Sequence, residues 1–214
     1  MIDIGNVFIL GDSYSTFEGY IPAGYHPYYT SAGRPETDVD RVEQTWWHQL
    51  IAETQSELVL NCSWSGTTIC HTGYKGEDCA AKSFVARLDK LIGEGWFAAN
   101  RIDTLFVFGA TNDSWAGSPV GEPMDEGWVK ADLYKVLPAV GYLTHRLAET
   151  LPEARLIFIL NTGLKPEIAD GIRAACAHNG VEVLELHDID KQHGHPTIQG
   201  MGEIKEQVLA YLAK

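Results

Sequence analysis

The chain has 214 residues, enough for one domain with a sizeable core, and at 45% hydrophobic and 21% charged its composition is ordinary for a globular protein. A formal charge of −13 argues against nucleic acid or an anionic membrane as the main partner, because both call for a basic face. No apolar run approaches the ~20 residues of a membrane-spanning helix, and the opening Met1-Ile2-Asp3-Ile4-Gly5 lacks the basic start and apolar core of a secretory leader, so a cytoplasmic location is expected.

Val7-Phe8-Ile9-Leu10 is four apolar residues in a row, the pattern of a strand buried on both faces. Gly11 breaks the run, and Asp12-Ser13 stands where the strand would emerge. The stretch from about Tyr14 to Asp40 is expected to be irregular, since Gly19, Pro22, Gly24, Pro27, Gly33 and Pro35 interrupt any period. It also carries Tyr20, Tyr25, Tyr28 and Tyr29, which either wall a substrate cleft or pin the loop to the body. A helix is expected from about Val42 to Thr54, a strand over Leu58–Cys62, and a helix from Ala80 to Ile92. Thr104–Phe108 is the third strand and opens into Gly109-Ala110-Thr111-Asn112-Asp113. A helix from about Lys130 to Leu151 follows, with Pro138 kinking it or marking a break. Leu156–Leu160 is the fourth strand, Glu167–Asn179 a helix, Val181–Glu185 the fifth strand and Thr197–Leu212 the last helix.

Five strands alternating with helices, without repeat or linker, predict an α/β fold with a parallel sheet and right-handed crossovers, spanning residues 1–214 as one domain. In such a sheet the carboxyl ends of the strands collect the reacting groups. Here they carry Ser13 after strand one, Ser65-Gly66 after strand two, Asn112-Asp113 after strand three and His193-Gly194-His195-Pro196 after strand five. Acyl transfer needs a nucleophilic oxygen, a base, a group that orients the base, and donors for an oxyanion; these four blocks offer candidates for each. The alternatives are ordinary: Gly-Asp-Ser and Asn are common turn and N-cap chemistry, and Asp12 and Asp113 are candidates for structural carboxylates that receive backbone N–H groups. Cys62, Cys70, Cys79 and Cys176 show no zinc spacing and read as free thiols, although Cys70 and Cys79 are close enough in sequence to bridge; no metal-ligand motif such as HExxH occurs.

Taken together the blocks resemble the SGNH (GDSL-type) hydrolase family over nearly the whole chain: Gly11-Asp12-Ser13-Tyr14-Ser15, Gly66, Ala110-Thr111-Asn112-Asp113, and His195-Pro196 before the closing helix. The resemblance implies a three-layer α/β/α sandwich of the flavodoxin-like order 2-1-3-4-5. It also implies Ser13 as nucleophile, His195 as general base, and an oxyanion hole formed by the Ser13 and Gly66 N–H groups and the Asn112 amide. No cofactor is implied. Two departures stand out. Ala110 replaces the third block's usual glycine, a role Gly109 is placed to take over. Gln192 occupies the position three before His195 where the family carries its acid, whereas Asp190 lies three before His193. Either His195 is the base, oriented by Asp190 or Asp188, or His193 is the base with Asp190 in the usual place; a Ser–His dyad leaning on a backbone carbonyl is the third arrangement. The expected activity is a serine esterase acting on a short-chain, above all acetyl, ester of a carbohydrate or other small molecule, the tyrosines and Trp64 and Trp115 suiting a sugar face. A binding protein that has lost catalysis and a long-chain lipase or thioesterase are the competing readings.

Overall fold

The structure, a computed structural model, describes residues 2–214. In chain order its elements are β1 (Asn6–Gly11), α1 (Trp46–Thr54), β2 (Glu57–Ser63), α2 (Phe84–Gly93), α3 (Trp96–Ala99), β3 (Thr104–Gly109), α4 (Thr111–Ala116), α5 (Val136–Thr150), β4 (Arg155–Leu160), α6 (Pro166–Asn179), β5 (Glu182–Glu185), the two-residue strands β6 (Lys191–Gln192) and β7 (His195–Pro196), and α7 (Ile198–Leu212). The main sheet has the order β2-β1-β3-β4-β5, every pair parallel, as the resemblance implies.

The apolar runs of β1, β3 and β4 are continuous because both faces of the sheet are covered. Side chains alternate across a strand, so Phe8, Leu10, Leu105, Val107, Phe158 and Leu160 enter one core layer. Val7, Ile9, Phe106, Phe108, Ile157 and Ile159 enter the other. Helices α2, α5 and α6 close the first layer through Leu88, Val140, Leu143 and Ile172. Helices α1 and α7 close the second through Trp46, Trp47, Leu50, Met201 and Ile204. Each of these larger side chains stabilises the fold by about 1.5–3 kcal/mol relative to exposure. The four cysteines are buried free thiols, so Cys70 and Cys79 do not bridge. Among the described residues no helix is long and apolar enough to cross a membrane.

Several boundaries differ from expectation for local reasons. The helix expected from Ala80 begins at Phe84, because the Ser83 hydroxyl caps it by accepting the Ala86 N–H at 3.1 Å. The helix expected from Lys130 begins at Val136; a separate 3-10 turn covers Asp132–Tyr134, and Pro138 falls in the first helical turn, where its missing N–H costs nothing. The turn after β3 contains a short helix, α4, so Asn112 and Asp113 ride on helical backbone instead of a loop.

Candidate active site

At the carboxyl edge of β1 the chain passes straight from Gly11 through Asp12 into a 3-10 turn, Ser13–Ser15. The Asp12 carboxylate caps that turn, accepting the Tyr14 N–H at 3.0 Å. Thr16 ties the turn from the other side, donating its hydroxyl to the Ser13 carbonyl at 3.0 Å. The Ser13 hydroxyl is thereby held on a fixed backbone, 3.0 Å from Nε2 of His195. Of the two candidate histidines it is therefore His195 that faces the serine; His193 is exposed.

His195 is presented by the β6–β7 hairpin, whose turn places His193 and Gly194 at φ of 48° and 79°. Gly194 is required twice over: its positive φ disfavours any side chain, and a Cβ there would sit 2.9 Å from the Trp115 ring. Nδ1 of His195 lies 3.3 Å from the His193 carbonyl oxygen. A carbonyl only accepts, so the ring hydrogen is on Nδ1 and the Nε2 lone pair faces Ser13. Tyr28 stacks on the imidazole, the ring centroids 3.6 Å apart and the planes 7° from parallel. The Arg34 guanidinium lies over the Tyr28 ring at 4.3 Å. Trp115 meets the imidazole edge-on at 5.8 Å. Two more tyrosines hold the hairpin backbone: Tyr14 donates to the Gly194 carbonyl, and Tyr29 to the Pro196 carbonyl at 3.1 Å. Burial pushes the imidazole pKa down to about 4; the His193 carbonyl opposes this, while the nearby cations Arg34 and Lys191 add to it.

Among the described residues neither Asp190 nor Asp188 hydrogen-bonds the His195 ring. The Asp190 carboxylate accepts the hydroxyl of Thr197, the N-cap of α7, and Asp188 is exposed beside His187. The physical reason is the hairpin, which turns the His195 ring towards the β1 edge while Asp190 stays with the first turn of α7.

Next to Ser13 in the chain, Asp12 also receives the Asn112 amide at 3.4 Å; the same amide donates to the Thr67 carbonyl at 3.0 Å, and the Asn112 oxygen accepts the Tyr74 hydroxyl at 2.9 Å. Asp113 accepts the Ile69 and Cys70 N–H groups at 2.9 and 3.1 Å, tying the segment after β2 to α4. Among the hydrogen bonds of the described residues neither the Ser13 nor the Gly66 N–H donates. Asp12 is fully buried, and desolvation raises its pKa to about 7 against the Tyr14 amide, which lowers it. Gly109 does not take over the missing glycine of the third block. Ala110 itself adopts the left-handed conformation, φ 70° and ψ −9°, at a cost of about 1–2 kcal/mol, while Gly109 is fixed by the Phe84 ring, 2.5 Å from where its Cβ would be.

Sequence reasoning missed Tyr74, the stacking role of Tyr28 and the buried Arg87 on α2. For Arg87 a signal existed: Phe84, Arg87, Leu88 and Leu91 are spaced i, i+3, i+4, i+7, so a charged residue occupies an apolar-stripe position. His71, close to the second block in sequence, hydrogen-bonds Ser83 at 2.9 Å.

A parallel sheet of this order, with a serine–imidazole pair on its carboxyl edge, is the architecture of an ester hydrolase. The family profile of the GDSL-like lipase/acylhydrolases matches residues 5–212, and the chain belongs to that family. Its fold is closely similar to a Bacteroides ovatus structure described as a GDSL-like lipase, with 46% identity, 99% of each chain covered and a TM-score of 0.92. A Bacteroides uniformis structure of the same description is 44% identical over 98% of this chain and 95% of that one, with a TM-score of 0.89. An acetyl xylan esterase from Butyrivibrio proteoclasticus shares the fold at 16% identity, covering 99% of this chain and 64% of that one, with a TM-score of 0.62. Among curated proteins no sequence matches. The protein is a hydrolase acting on ester bonds.

Proposed function

We propose that residues 1–214 form one catalytic domain that removes a short acyl group, above all acetyl, from a carbohydrate or other small polar alcohol, using Ser13 and His195 as a dyad. The observation that carries this reading is the 3.0 Å contact between Ser13 Oγ and a His195 Nε2 left free to accept by the Nδ1–His193 carbonyl bond. Nε2 takes the hydroxyl proton as Oγ attacks the ester carbonyl carbon. The tetrahedral oxyanion is received by the Ser13 and Gly66 N–H groups, which donate to none of the described residues, and by Asn112, whose 3.4 Å bond to Asp12 is long enough to be given up. The imidazolium then hands its proton to the departing alcohol as the carbon–oxygen bond breaks, leaving an acyl-serine. Water, deprotonated by the same nitrogen, releases the acid.

A short acyl group suits a nucleophile that is only 3% exposed and follows Asp12, which is joined to the polar group of Asn112, Thr67 and Tyr74. Exposed Trp115, beside the base, offers a flat face to a sugar ring, and the acetyl xylan esterase of the same fold supports a carbohydrate ester. The test is acetate release from p-nitrophenyl acetate and a panel of acetylated sugars, against octanoyl esters. Ser13→Ala and His195→Ala are each expected to lower kcat by about 10⁴–10⁶-fold with circular dichroism unchanged. Preference for octanoyl esters overturns the acyl length, and a wild type no faster than Ser13→Ala overturns the esterase reading in favour of a binding protein.

A further inference from the structure

One buried group outside the proposed acyl-transfer steps bonds the segments that carry Ser13 and Gly66 and reaches the Asn112 segment through Thr67 and Phe84. Arg87 of α2 is 2% exposed, yet all four oxygens it bonds are neutral. Nη2 donates to the Gly11 carbonyl and to the Thr67 hydroxyl, both at 3.1 Å; Nη1 donates to the Cys62 carbonyl and Nε to the Lys82 carbonyl at 3.1 Å. Gly11 is two residues before Ser13, and its carbonyl also accepts the Trp64 N–H, two residues before Gly66. Thr67 follows Gly66; its hydroxyl donates to the Trp64 carbonyl at 2.7 Å and its own carbonyl accepts the Asn112 amide. The face of the guanidinium covers the Phe84 ring at 4.4 Å, and that ring packs on Gly109 at the end of β3, just before the Asn112 helix.

Burying a guanidinium with no carboxylate bonded to it costs several kcal/mol, offset only in part by the field of buried Asp12 nearby, and a hydrophobic side chain at this position of the α2 stripe would close the core without that cost. We infer that Arg87 is a positioning residue for the oxyanion hole: its planar fork locks the ends of β1 and β2 and the Gly66–Thr67 turn in one arrangement, with its positive charge beneath the segments whose N–H groups receive the substrate oxyanion. The inference rests on the esterase reading. Lysine retains the charge but is a single point donor and does not reproduce the planar fork that joins Gly11, Cys62 and Thr67.

The experiment compares wild type, Arg87→Lys, Arg87→Ala and Thr67→Val with p-nitrophenyl acetate, and measures hydrogen exchange across the chain. Arg87→Lys is expected to lower kcat about 10²-fold, the scale of one lost oxyanion donor, with KM within about threefold. Exchange should quicken in residues 11–16 and 62–68 while α5 and α6 stay protected. Added guanidinium ion at low millimolar concentration should restore Arg87→Ala about tenfold or more by refilling the cavity. Thr67→Val, which removes one acceptor of Arg87 together with the hydroxyl's bond to the Trp64 carbonyl and keeps the core packed, should lower kcat about tenfold in the same pattern, a scale matching about 1.4 kcal/mol. A wild type without turnover overturns the esterase reading itself. A wild type that turns over and is matched in kcat by both Arg87→Lys and Thr67→Val overturns only this inference. Equal losses in kcat and affinity, with exchange quickened throughout the sheet, also overturn it by making Arg87 a general stabiliser of the fold.

Discussion

The two halves of the reacting centre are built from different physics. On the nucleophile side every support is a buried polar bond: Asp12 to Tyr14, Asp113 to Ile69 and Cys70, Asn112 to Thr67, and Arg87 beneath them. On the histidine side no carboxylate among the described residues hydrogen-bonds the ring. A stacked tyrosine, an edge-on tryptophan, tyrosine hydroxyls on two carbonyls and one carbonyl at Nδ1 hold the imidazole. The two sides meet at Thr16, whose hydroxyl donates to Ser13 and accepts the Tyr28 N–H at 2.8 Å. The difference has a chemical logic. An oxyanion hole must present directed donors that do not reorganise, which fixed hydrogen bonds supply. A base must be oriented yet begin the reaction neutral, and flat apolar faces orient a ring while disfavouring its charged form.

Breaking the polar side should do the most damage. Asp113→Ala leaves the buried Ile69 and Cys70 N–H groups without acceptors, an expected loss of about 2–5 kcal/mol for two such groups, read as a lower urea midpoint with unchanged slope. Turnover should fall with it, since the same carboxylate ties the segment after Gly66 to the Asn112 helix.

Removing the stacking face is the gentler operation and reports on protonation. The base works as neutral imidazole, and burial holds its pKa near about 4, so kcat/KM should stay high down to about pH 5 and fall only below that. Tyr28→Leu opens one face to water, which weakens the largest cause of the lowered value. The acidic limb should then move up towards the ordinary 6.5, and activity at pH 5 should be lost before activity at pH 8. The lost stack itself is worth about 0.5–1.5 kcal/mol, or about 2–10-fold in kcat at neutral pH. Tyr28→Phe keeps the ring and should keep the limb. A limb unmoved by Tyr28→Leu would mean that the hairpin alone keeps water from the ring.

This asymmetry also explains what was legible in the sequence. The sheet and its order could be read because each strand is a short apolar run with β-branched residues, closed by a polar block. The nucleophile side could be read in part, because Ser13, Gly66, Asn112, Asp12 and Asp113 lie in short blocks at strand ends, and short-range spacing constrains what such residues can do. The histidine side could be located but not wired. Tyr28 and His195 are 167 residues apart, and nothing in either neighbourhood distinguishes a tyrosine that stacks on a ring from one that pins a loop. The partner of Asp190 was hidden for a related reason. Its spacing to His193 is the familiar one, but the positive φ at His193 and Gly194 folds a hairpin between Asp190 and His195, and only coordinates reveal such a fold-back.

Asp190→Asn is therefore the sharpest and smallest of the perturbations. If the carboxylate oriented His195 as the acid of a Ser–His–Asp triad, converting it to an amide would favour the wrong tautomer and lower kcat by about 10⁴-fold. In this structure its oxygen accepts from Thr197 at the start of α7, and an asparagine oxygen can accept the same hydroxyl. The Nδ1 hydrogen is directed at the His193 carbonyl, which the substitution does not touch. The Thr197 cap itself survives too, because the Thr197 hydroxyl still accepts the Gly200 N–H at 3.1 Å. The variant should keep kcat within about threefold of wild type and lose no more than about 1 kcal/mol of stability, the scale of one weakened hydrogen bond. A fall of several orders of magnitude would instead mean that the hairpin rearranges when substrate binds and brings Asp190 to the ring. The two sides of the site would then be built alike, each resting on a buried carboxylate.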